Sequence, residues 1–268
     1  MRRRRLALAL AAAAVAVAAW YGIAWVRHVP ANGPPTAIAH RGAPATSGAP
    51  EGTLEAFRAA IDAGADWLEF DVRTTRDGVL VVMHDETVDR TTDGSGPVAS
   101  LTLAAVQALD AGGGARVPTV EQVVELAASA GVRVMPEIKD GAADFEVVGR
   151  LVDLLRAADS LDRAVIQSSD GGTLVRLREI APEAAGCWIT GPWQLDLSSP
   201  PADAAYVCPM GEMLLLSPDS IRGAHAAGRR VLAWWSRAES RVTNAILEAY
   251  GVDGLIVDDL RGLAAGDE

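Results

Sequence analysis

From Thr36 onward, short apolar runs alternate with longer amphipathic segments, and this alternation restricts the fold more than any other feature. Apolar runs joined by helical crossovers are typical of a parallel sheet. We therefore predict an α/β fold, a (β/α)₈ TIM barrel formed by residues 36–268. A closed barrel has eight places, so one of the nine candidate strands must be extra, and the weak pair around Gly186 and Ala205 is the first choice. The candidates are Thr36–His40, Trp67–Val72, Leu80–His84, Arg133–Ile138, Ala164–Ser168, Gly186–Ile189, Ala205–Cys208, Val231–Trp235 and Gly254–Val257.

The connection between the second and third candidate strands has no helical pattern. Its roughly ten residues can span about 33 Å when extended, enough to return down the barrel wall and begin a parallel strand. An antiparallel hairpin at Asp77-Gly78 is the local alternative. We predict the parallel path, because it places Glu69 and His84 near the same rim.

Three helices have clear start and stop signals in the sequence. Side-chain caps at the first residue, capping boxes and a terminal glycine are the signals used. They predict helices from Thr53 to Gly64, from the capping box of Thr119 and Gln122, and from Ser217-Pro218 to Gly228.

The first 29 residues form an N-terminal segment separate from the barrel. Four arginines precede an apolar run from Leu6 to Val26, which as a helix is about 30 Å long and matches a bilayer core. The arginine asymmetry predicts a single-pass anchor in the cell membrane with the barrel on the extracytoplasmic side. A cleaved signal peptide, which gives a secreted protein, is the alternative. Residues 30–35 (PANGPP) form a linker.

Length and charge limit the function classes. The chain has 268 residues, of which 50% are hydrophobic, and this suits one large domain after the linker. Its net charge of -11 argues against nucleic acid as a partner. Cys187 and Cys208 lack the spacing of a zinc site, and the sequence does not determine whether they pair.

Polar side chains follow four of the apolar runs at their carboxyl ends. They are His40 and Arg41, Glu69 and Asp71, His84, and Glu137 with Lys139. In a TIM barrel this rim carries the site. Each residue alone has a structural explanation, such as a hydrogen-bonded core histidine or a solvated strand end, but their coincidence at four strand ends favours a site.

The residue types at this rim indicate a class of reaction. The carboxylates of Glu69, Asp71 and Glu137 suit one hard divalent cation, Ca²⁺ or Mg²⁺. Arg41 and Lys139 suit a phosphate group, and two histidines can exchange protons near neutral pH. Together they predict phosphoryl transfer from an oxygen leaving group.

Over nearly all of the predicted barrel, the chain resembles the glycerophosphodiester phosphodiesterase family. The order and spacing of the matching motifs are highly specific. They are AHRG at 39–42, PEGT at 50–53, EFDVRTTRDGVLVVMHD at 69–85, DRTTDGSG at 89–96, VPT at 117–119, PEIK at 136–139 and VDGLIVD at 252–258.

The resemblance implies a TIM barrel that hydrolyses a small-molecule glycerophosphodiester to glycerol 3-phosphate and an alcohol. It implies His40 and His84 as the general acid/base pair. It also implies that Arg41 contacts the phosphate, with Glu51 and Lys139 as further members of the binding site. The metal ligands by this resemblance are Glu69, Asp71 and Glu137.

The sequence departs from the family pattern at three places, which bear on substrate fit. Gly52 stands where the family usually has Asn, WWSR at 234–237 where it commonly has WTVN, and VDDL at 257–260 where it has TD followed by Pro. Trp234 is predicted to form an apolar wall for the glycerol or the alcohol, with core packing as the alternative. Two other functions stay open: lysophospholipase D-type activity on lysolipids, and a non-catalytic phosphodiester-binding barrel.

Overall fold

The computed structural model describes residues 34–139 and 145–263. Eight parallel strands close into a barrel in the order β1-β2-β4-β5-β6-β7-β8-β9, with β9 pairing back to β1, and β3 lies outside this ring. The prediction of a barrel of eight parallel strands is confirmed. The strands are β1 (Thr36–Ala39), β2 (Trp67–Thr74), β3 (Leu80–Val82), β4 (Arg133–Ile138), β5 (Val165–Ser168), β6 (Ala185–Ile189), β7 (Tyr206–Cys208), β8 (Arg230–Trp234) and β9 (Gly254–Val257).

Helices pack around the barrel and connect most of its strands. All three predicted helices are present, and the capping box of Thr119 and Gln122 forms with both of its hydrogen bonds. Thr53 caps the first long helix by accepting the Ala56 N–H. The helices are Pro44–Ser47, Leu54–Asp62, Leu103–Ala108, Val120–Ala130, Phe145–Ala157, Gly171–Ile180, Gly211–Leu216, Asp219–Ala226 and Arg241–Ala249, with 3₁₀ turns at His40–Gly42, Val98–Ser100, Leu161–Arg163, Pro201–Asp203 and Leu260–Gly262.

The prediction of a parallel third strand is wrong, because β3 folds back on β2 as an antiparallel hairpin. The turn is fixed locally: the Thr75 N–H donates to the Val79 carbonyl, and the Thr75 hydroxyl contacts the Asp77 carboxylate. Gly78 adopts φ +83°, which favours glycine. The extra strand is therefore β3, and both weak segments around Gly186 and Ala205 belong to the barrel as β6 and β7.

His84 nevertheless reaches the rim that the sequence predicted for it. Strand β2 continues beyond the barrel wall, and β3 returns along it with Val82 opposite Val72. The Met83 N–H then donates to the Asp71 carbonyl at 3.0 Å. His84 therefore stands next to the carboxyl end of β2, although its strand runs in the opposite direction.

The barrel interior is filled by a layer of apolar side chains near the amino ends of the strands. Successive residues of a strand point to opposite faces, so one residue of each pair faces inward. Two positions further along the same strands, toward the carboxyl ends, most of the inward-facing residues are polar. Its buried members are Ile38, Trp67, Met135, Val165, Cys187, Tyr206, Cys208, Leu232 and Ile256.

Two cysteines in this layer form a disulfide. Cys187 on β6 and Cys208 on β7 are both fully buried, with their Cα atoms 6.3 Å apart. This resolves the pairing that the sequence left open. Disulfides persist in oxidising compartments.

The segment after β3 forms a small lobe over the barrel rim. Residues 83–118 pack around an apolar cluster of their own. This lobe carries Asp85, which contacts His84, and Arg90, which contacts Glu51. The cluster consists of Val81, Met83, Val88, Val98, Val106, Ala111 and Val117.

Among residues 34–139 and 145–263, no helix combines the length and apolar character that a bilayer crossing needs. The predicted apolar segment Leu6–Val26 lies outside these residues.

Candidate active site

A cavity of about 500 Å³ opens at the carboxyl ends of the barrel strands. Its walls come from residues in six strands, from His40 and Arg41 after β1, from His84 two residues after β3, and from loop residues that follow the other strands. All predicted site residues line it except Asp71 and Glu51. These two line a smaller adjoining cavity. The lining residues are His40, Arg41, Glu69, His84, Glu137, Lys139, Gln167, Ser169, Ile189, Trp234, Trp235, Ser236, Ile256 and Asp258.

Three buried carboxylates meet beside this cavity, and two of them, Glu69 and Glu137, line it. One oxygen from each of Glu69, Asp71 and Glu137 lies within 4.8 Å of the others. Asp71 and Glu137 are partners on the adjacent strands β2 and β4, and Glu69 is two residues before Asp71, so the alternation of β2 directs both acids inward. Burial, and next the Asp71 carboxylate, raise the pKa of Glu69 to about 7. Burial likewise raises the pKa of Glu137.

This cluster fits a divalent cation in its donor set and its spacing. Carboxylate oxygens are the ligands that Ca²⁺ and Mg²⁺ take, and three acids this close repel one another unless positive charge lies between them. Glu69 keeps both oxygens bonded, accepting from Gln167 Nε2 at 2.8 Å and from the Arg41 N–H at 3.0 Å. Asp71 Oδ1 is buried and accepts no hydrogen bond from residues 34–139 and 145–263, so it presents an unsatisfied oxygen to the cluster.

Two cationic side chains flank the carboxylates. Lys139 Nζ lies 2.7 Å from Glu137 Oε1 and 3.1 Å from Asp71 Oδ1, though the second contact lacks hydrogen-bond geometry. Arg41 Nε lies 3.2 Å from Asp71 Oδ2, also without hydrogen-bond geometry. Arg41 adopts φ 49°, a left-handed conformation that is uncommon for a residue other than glycine. Both cations therefore stand beside the acids and face the cavity.

His40 is held by a carboxylate from the last strand. Its Nδ1 lies 2.7 Å from Asp258 Oδ1, and because a carboxylate can only accept, Nδ1 carries the proton. Glu239 fixes Asp258 by accepting its backbone N–H at 2.9 Å. Burial by itself lowers the pKa of His40, but Asp258 and Glu69 outweigh burial, so this pKa is raised above 6.5. The Nε2 atom is left as the nitrogen for proton exchange.

His84 has the same arrangement with its sequence neighbour. Its Nδ1 lies 2.6 Å from Asp85 Oδ1. Burial lowers the pKa of His84 below 6.5, and the cations Arg41 and Lys139 lower it further. The charge of Asp71 and the hydrogen bond to Asp85 raise this pKa, but by less. The two histidines therefore differ: one pKa is raised and the other is lowered.

Glu51 contacts arginines rather than the open cavity. It accepts from Arg41 NH1 at 3.0 Å and from two nitrogens of Arg90 at 2.8 and 2.9 Å. Burial raises its pKa, but these two arginines reverse the shift and lower it to about 2. A carboxylate held this way orients the two cations, and the membership of Glu51 in the binding site stays a prediction.

Trp234 forms part of the cavity wall and also packs on the apolar layer below. Its indole N–H donates to the Cys208 carbonyl at 3.1 Å, which fixes the ring. Both sequence interpretations of Trp234 therefore describe part of its environment. Trp235, the next residue, is buried and donates to Asn244.

The sequence interpretation missed the partners of the site residues. Gln167, Arg90, Asp258 and Glu239 each bond a site residue or its partner. Three of them have a sequence signal. Gln167 is two positions after an inward apolar residue, Arg90 lies in the DRTTDGSG motif, and Asp258 is the last residue of VDGLIVD. Glu239 carries no such signal, since its contacts are to backbone atoms far along the chain.

Comparison with known proteins places this geometry in a family. A sequence model of the glycerophosphoryl diester phosphodiesterase family matches residues 40–261. The chain is 33% identical over 235 residues to a glycerophosphodiester phosphodiesterase of Caldanaerobacter subterraneus, which covers 83% of this chain and 93% of the relative. A relative from Bacillus subtilis, a putative glycerophosphodiester phosphodiesterase by its name, is 32% identical over 82% of this chain and 93% of its own length.

Solved structures agree with the sequence comparison. A glycerophosphodiester phosphodiesterase from Agrobacterium tumefaciens superposes with a TM-score of 0.75 and 28% identity, over 87% of this chain and all of that one. A phosphodiesterase from Oleispira antarctica, solved with the product sn-glycerol-3-phosphate, gives a TM-score of 0.74 and 28% identity, over 84% and 93% of the two chains. The chain is therefore a member of the glycerophosphoryl diester phosphodiesterase family.

Proposed function

We propose that this protein hydrolyses glycerophosphodiesters to glycerol 3-phosphate and an alcohol, with one divalent cation held by Glu69, Asp71 and Glu137. The observation that carries the proposal is the cluster of three buried carboxylates within 4.8 Å of one another, of which Glu69 and Glu137 line the cavity that both histidines also line. The product complex of the Oleispira relative supports the substrate class. When bound, the cation supplies electrostatic stabilisation of the charge on the phosphoryl oxygens.

The two histidines exchange the protons of the reaction. At neutral pH, His84 with its lowered pKa is the proton acceptor and His40 with its raised pKa is the donor. Each ring is oriented by a carboxylate on Nδ1, which leaves Nε2 for the substrate. A barrel that only binds phosphodiesters does not need two rings held in this way, and this argues for an enzyme.

Arg41 and Lys139 bind the phosphate. Both are cations at the cavity edge beside the carboxylates. Lys139 contacts Asp71 and Glu137, and its ammonium would be available to the substrate if a cation held by these acids neutralised their charge. Whether Ca²⁺ or Mg²⁺ fills the site is decided by titration of both ions.

We propose that the barrel is anchored to the membrane by residues 1–29 and lies on the extracytoplasmic side. The disulfide between Cys187 and Cys208 supports an oxidising compartment. Thr36 enters the barrel at the amino end of β1, opposite the cavity, and residues 30–35 can reach about 20 Å when extended. With so short a linker, the site works close to the bilayer surface, where lipid-derived phosphodiesters are released.

One observation favours the alternative substrate, an intact lysolipid. Trp193 is 73% exposed and Leu195 is also exposed, in the loop that follows β6 at the same rim as the cavity. Exposed apolar side chains beside a site fit the alkyl chain of a lysolipid. The lysophospholipase D-type reaction uses the same cleavage and the same residues.

The test measures glycerol 3-phosphate or lysophosphatidic acid released from a panel of glycerophosphodiesters and lysolipids. The full chain is purified in detergent and assayed with Ca²⁺, with Mg²⁺ and with a chelator. We expect glycerophosphodiester hydrolysis that the chelator abolishes and one of the two ions restores. Faster turnover of lysolipids, reduced by Trp193→Ser, would select the alternative, and no release from any member of the panel would contradict both.

A further inference from the structure

Arg90 links two carboxylates beside the site, those of Asp85 and Glu51. Its guanidinium makes four hydrogen bonds, two to Asp85 at 2.6 and 3.2 Å and two to Glu51 at 2.8 and 2.9 Å. Two forked contacts from one guanidinium fix both carboxylates in direction as well as distance. The residue lies in the lobe after β3, outside the barrel.

Each carboxylate that Arg90 holds also holds a residue that faces the substrate. Asp85 Oδ1 is 2.6 Å from His84 Nδ1, and Glu51 Oε1 is 3.0 Å from Arg41 NH1. The result is a row of contacts in the order Arg41, Glu51, Arg90, Asp85 and His84, in which the charges alternate from Arg41 to Asp85. Its two ends are the phosphate-binding cation and one ring of the proton-exchange pair.

The geometry excludes direct substrate binding as the main task of Arg90. An arginine side chain has five N–H donors, and four hydrogen bonds to Asp85 and Glu51 already engage all three nitrogens. The side chain does not line the cavity that contains His40 and His84. Its influence on the reaction must therefore pass through the two carboxylates.

We propose that Arg90 is a positioning residue that sets the His84 ring and the Arg41 guanidinium relative to each other, an inference that rests on the proposed function. Without Arg90, Asp85 loses its only forked partner among the described residues and can rotate with the imidazole. Glu51 keeps Arg41 but loses the contact that fixes its own orientation. Substrate is still bound by the remaining cations, so the defect falls on turnover.

Arg90→Lys and Arg90→Ala test this. Lysine keeps the charge but has no planar fork for two carboxylates. We expect kcat to fall roughly 10- to 100-fold in both variants, as for other residues that orient a functional side chain through a hydrogen bond. KM should change by less than about threefold. Guanidinium chloride at low millimolar concentration should restore part of the kcat of Arg90→Ala, which a merely structural role would not allow.

Arg156→Gln is the matched control. Arg156 has a side-chain exposure of 44% against 47% for Arg90, and it also bonds a carboxylate, that of Glu183, but neither residue lines the cavity. This variant should keep wild-type kcat. A kcat within threefold of wild type in Arg90→Lys, or a lost kcat in Arg90→Ala that guanidinium does not restore, would overturn the proposal.

A second readout separates this inference from the proposed function. If the wild-type chain releases no product while its spectra show a folded protein, the proposed function fails. The Nδ1 proton resonance of His84, assigned by its loss in His84→Gln, then still reports on the Arg90 contact. Broadening of this resonance in Arg90→Lys supports the inference, and an unchanged resonance contradicts it.

Discussion

The inner surface of the barrel has two layers that differ in chemistry although the same strands build both. The lower layer is apolar and buried, and the upper layer, two residues further along each strand, is mostly polar and faces the cavity. The lower residues Ile38, Trp67, Met135, Val165, Leu232 and Ile256 are followed by the upper residues His40, Glu69, Glu137, Gln167, Trp234 and Asp258.

This difference separates stability from function along single strands. A lower-layer side chain is enclosed by its neighbours, so shortening it leaves a cavity. An upper-layer carboxylate is buried beside like charges, so it weakens the metal-free fold and gains favourable interactions from a cation. Substitutions two residues apart should therefore affect different measurements.

The largest expected effect is on turnover, from an upper-layer carboxylate. Glu69→Gln keeps the size of the side chain but removes the negative charge that the cation requires. We expect activity to fall on the order of 10³-fold or more, with the metal-free melting temperature within a few degrees of wild type. Activity assays and melting of the same preparation check both statements, and full activity after chelator treatment would contradict the metal assignment.

The histidine pair should have the next largest effect. His40→Ala and His84→Ala should each lose on the order of 10² to 10⁴ in kcat, and wild-type kcat/KM should follow a bell-shaped pH profile. His225→Ala is the control, because His225 bonds Asp253 away from the cavity. Turnover near that of wild type in His84→Ala would reduce this residue to a structural role.

A lower-layer substitution should show the opposite pattern. Leu232 is buried two residues before Trp234, and its side chain packs against Gly254. Leu232→Ala should lower the free energy of unfolding by about 2–5 kcal/mol while kcat stays within threefold below the melting transition. Val242→Ala, at an exposed position, should change stability by less than about 0.5 kcal/mol. Denaturant unfolding and kinetics at one temperature measure both effects.

The smallest effect concerns pH and follows from the pKa of Glu69, raised to about 7 in the metal-free protein. The folded state holds this proton more tightly than the unfolded state, so the associated stability is complete below about pH 4.5 and is lost as pH rises through 7. Metal binding displaces the proton, so affinity should weaken up to about tenfold per pH unit below 7. Calorimetric titration from pH 6 to 8 measures this slope, and a flat profile would contradict it.

The barrel could be predicted from sequence because its strands depend on local pattern. Alternation identified the strands, and polar residues at strand ends identified six of the fourteen residues that line the cavity. The predicted and observed bounds of β4 (Arg133–Ile138) and β9 (Gly254–Val257) are the same, because a charged residue or a glycine marks where each strand begins.

The hairpin and the supporting contacts could not be predicted in the same way. The Asp77-Gly78 pair indicates a hairpin, whereas a position for His84 at the rim favours a parallel path. The fold has the hairpin and still places His84 at the rim, because β2 extends above the barrel. Contacts such as Asp258 with His40 join residues 218 positions apart, so only the closed barrel brings them together. The disulfide likewise depends on the pairing of β6 with β7.

One measurement tests the separation of the two layers most directly: the melting temperature of the full chain with and without saturating Ca²⁺ or Mg²⁺. Ligand binding to the folded state raises this temperature. We predict a rise for wild type, an equal rise from a lower starting temperature for Leu232→Ala, and no rise for Glu69→Gln. A rise in Glu69→Gln equal to that of wild type would contradict the account, because the cation would then bind elsewhere.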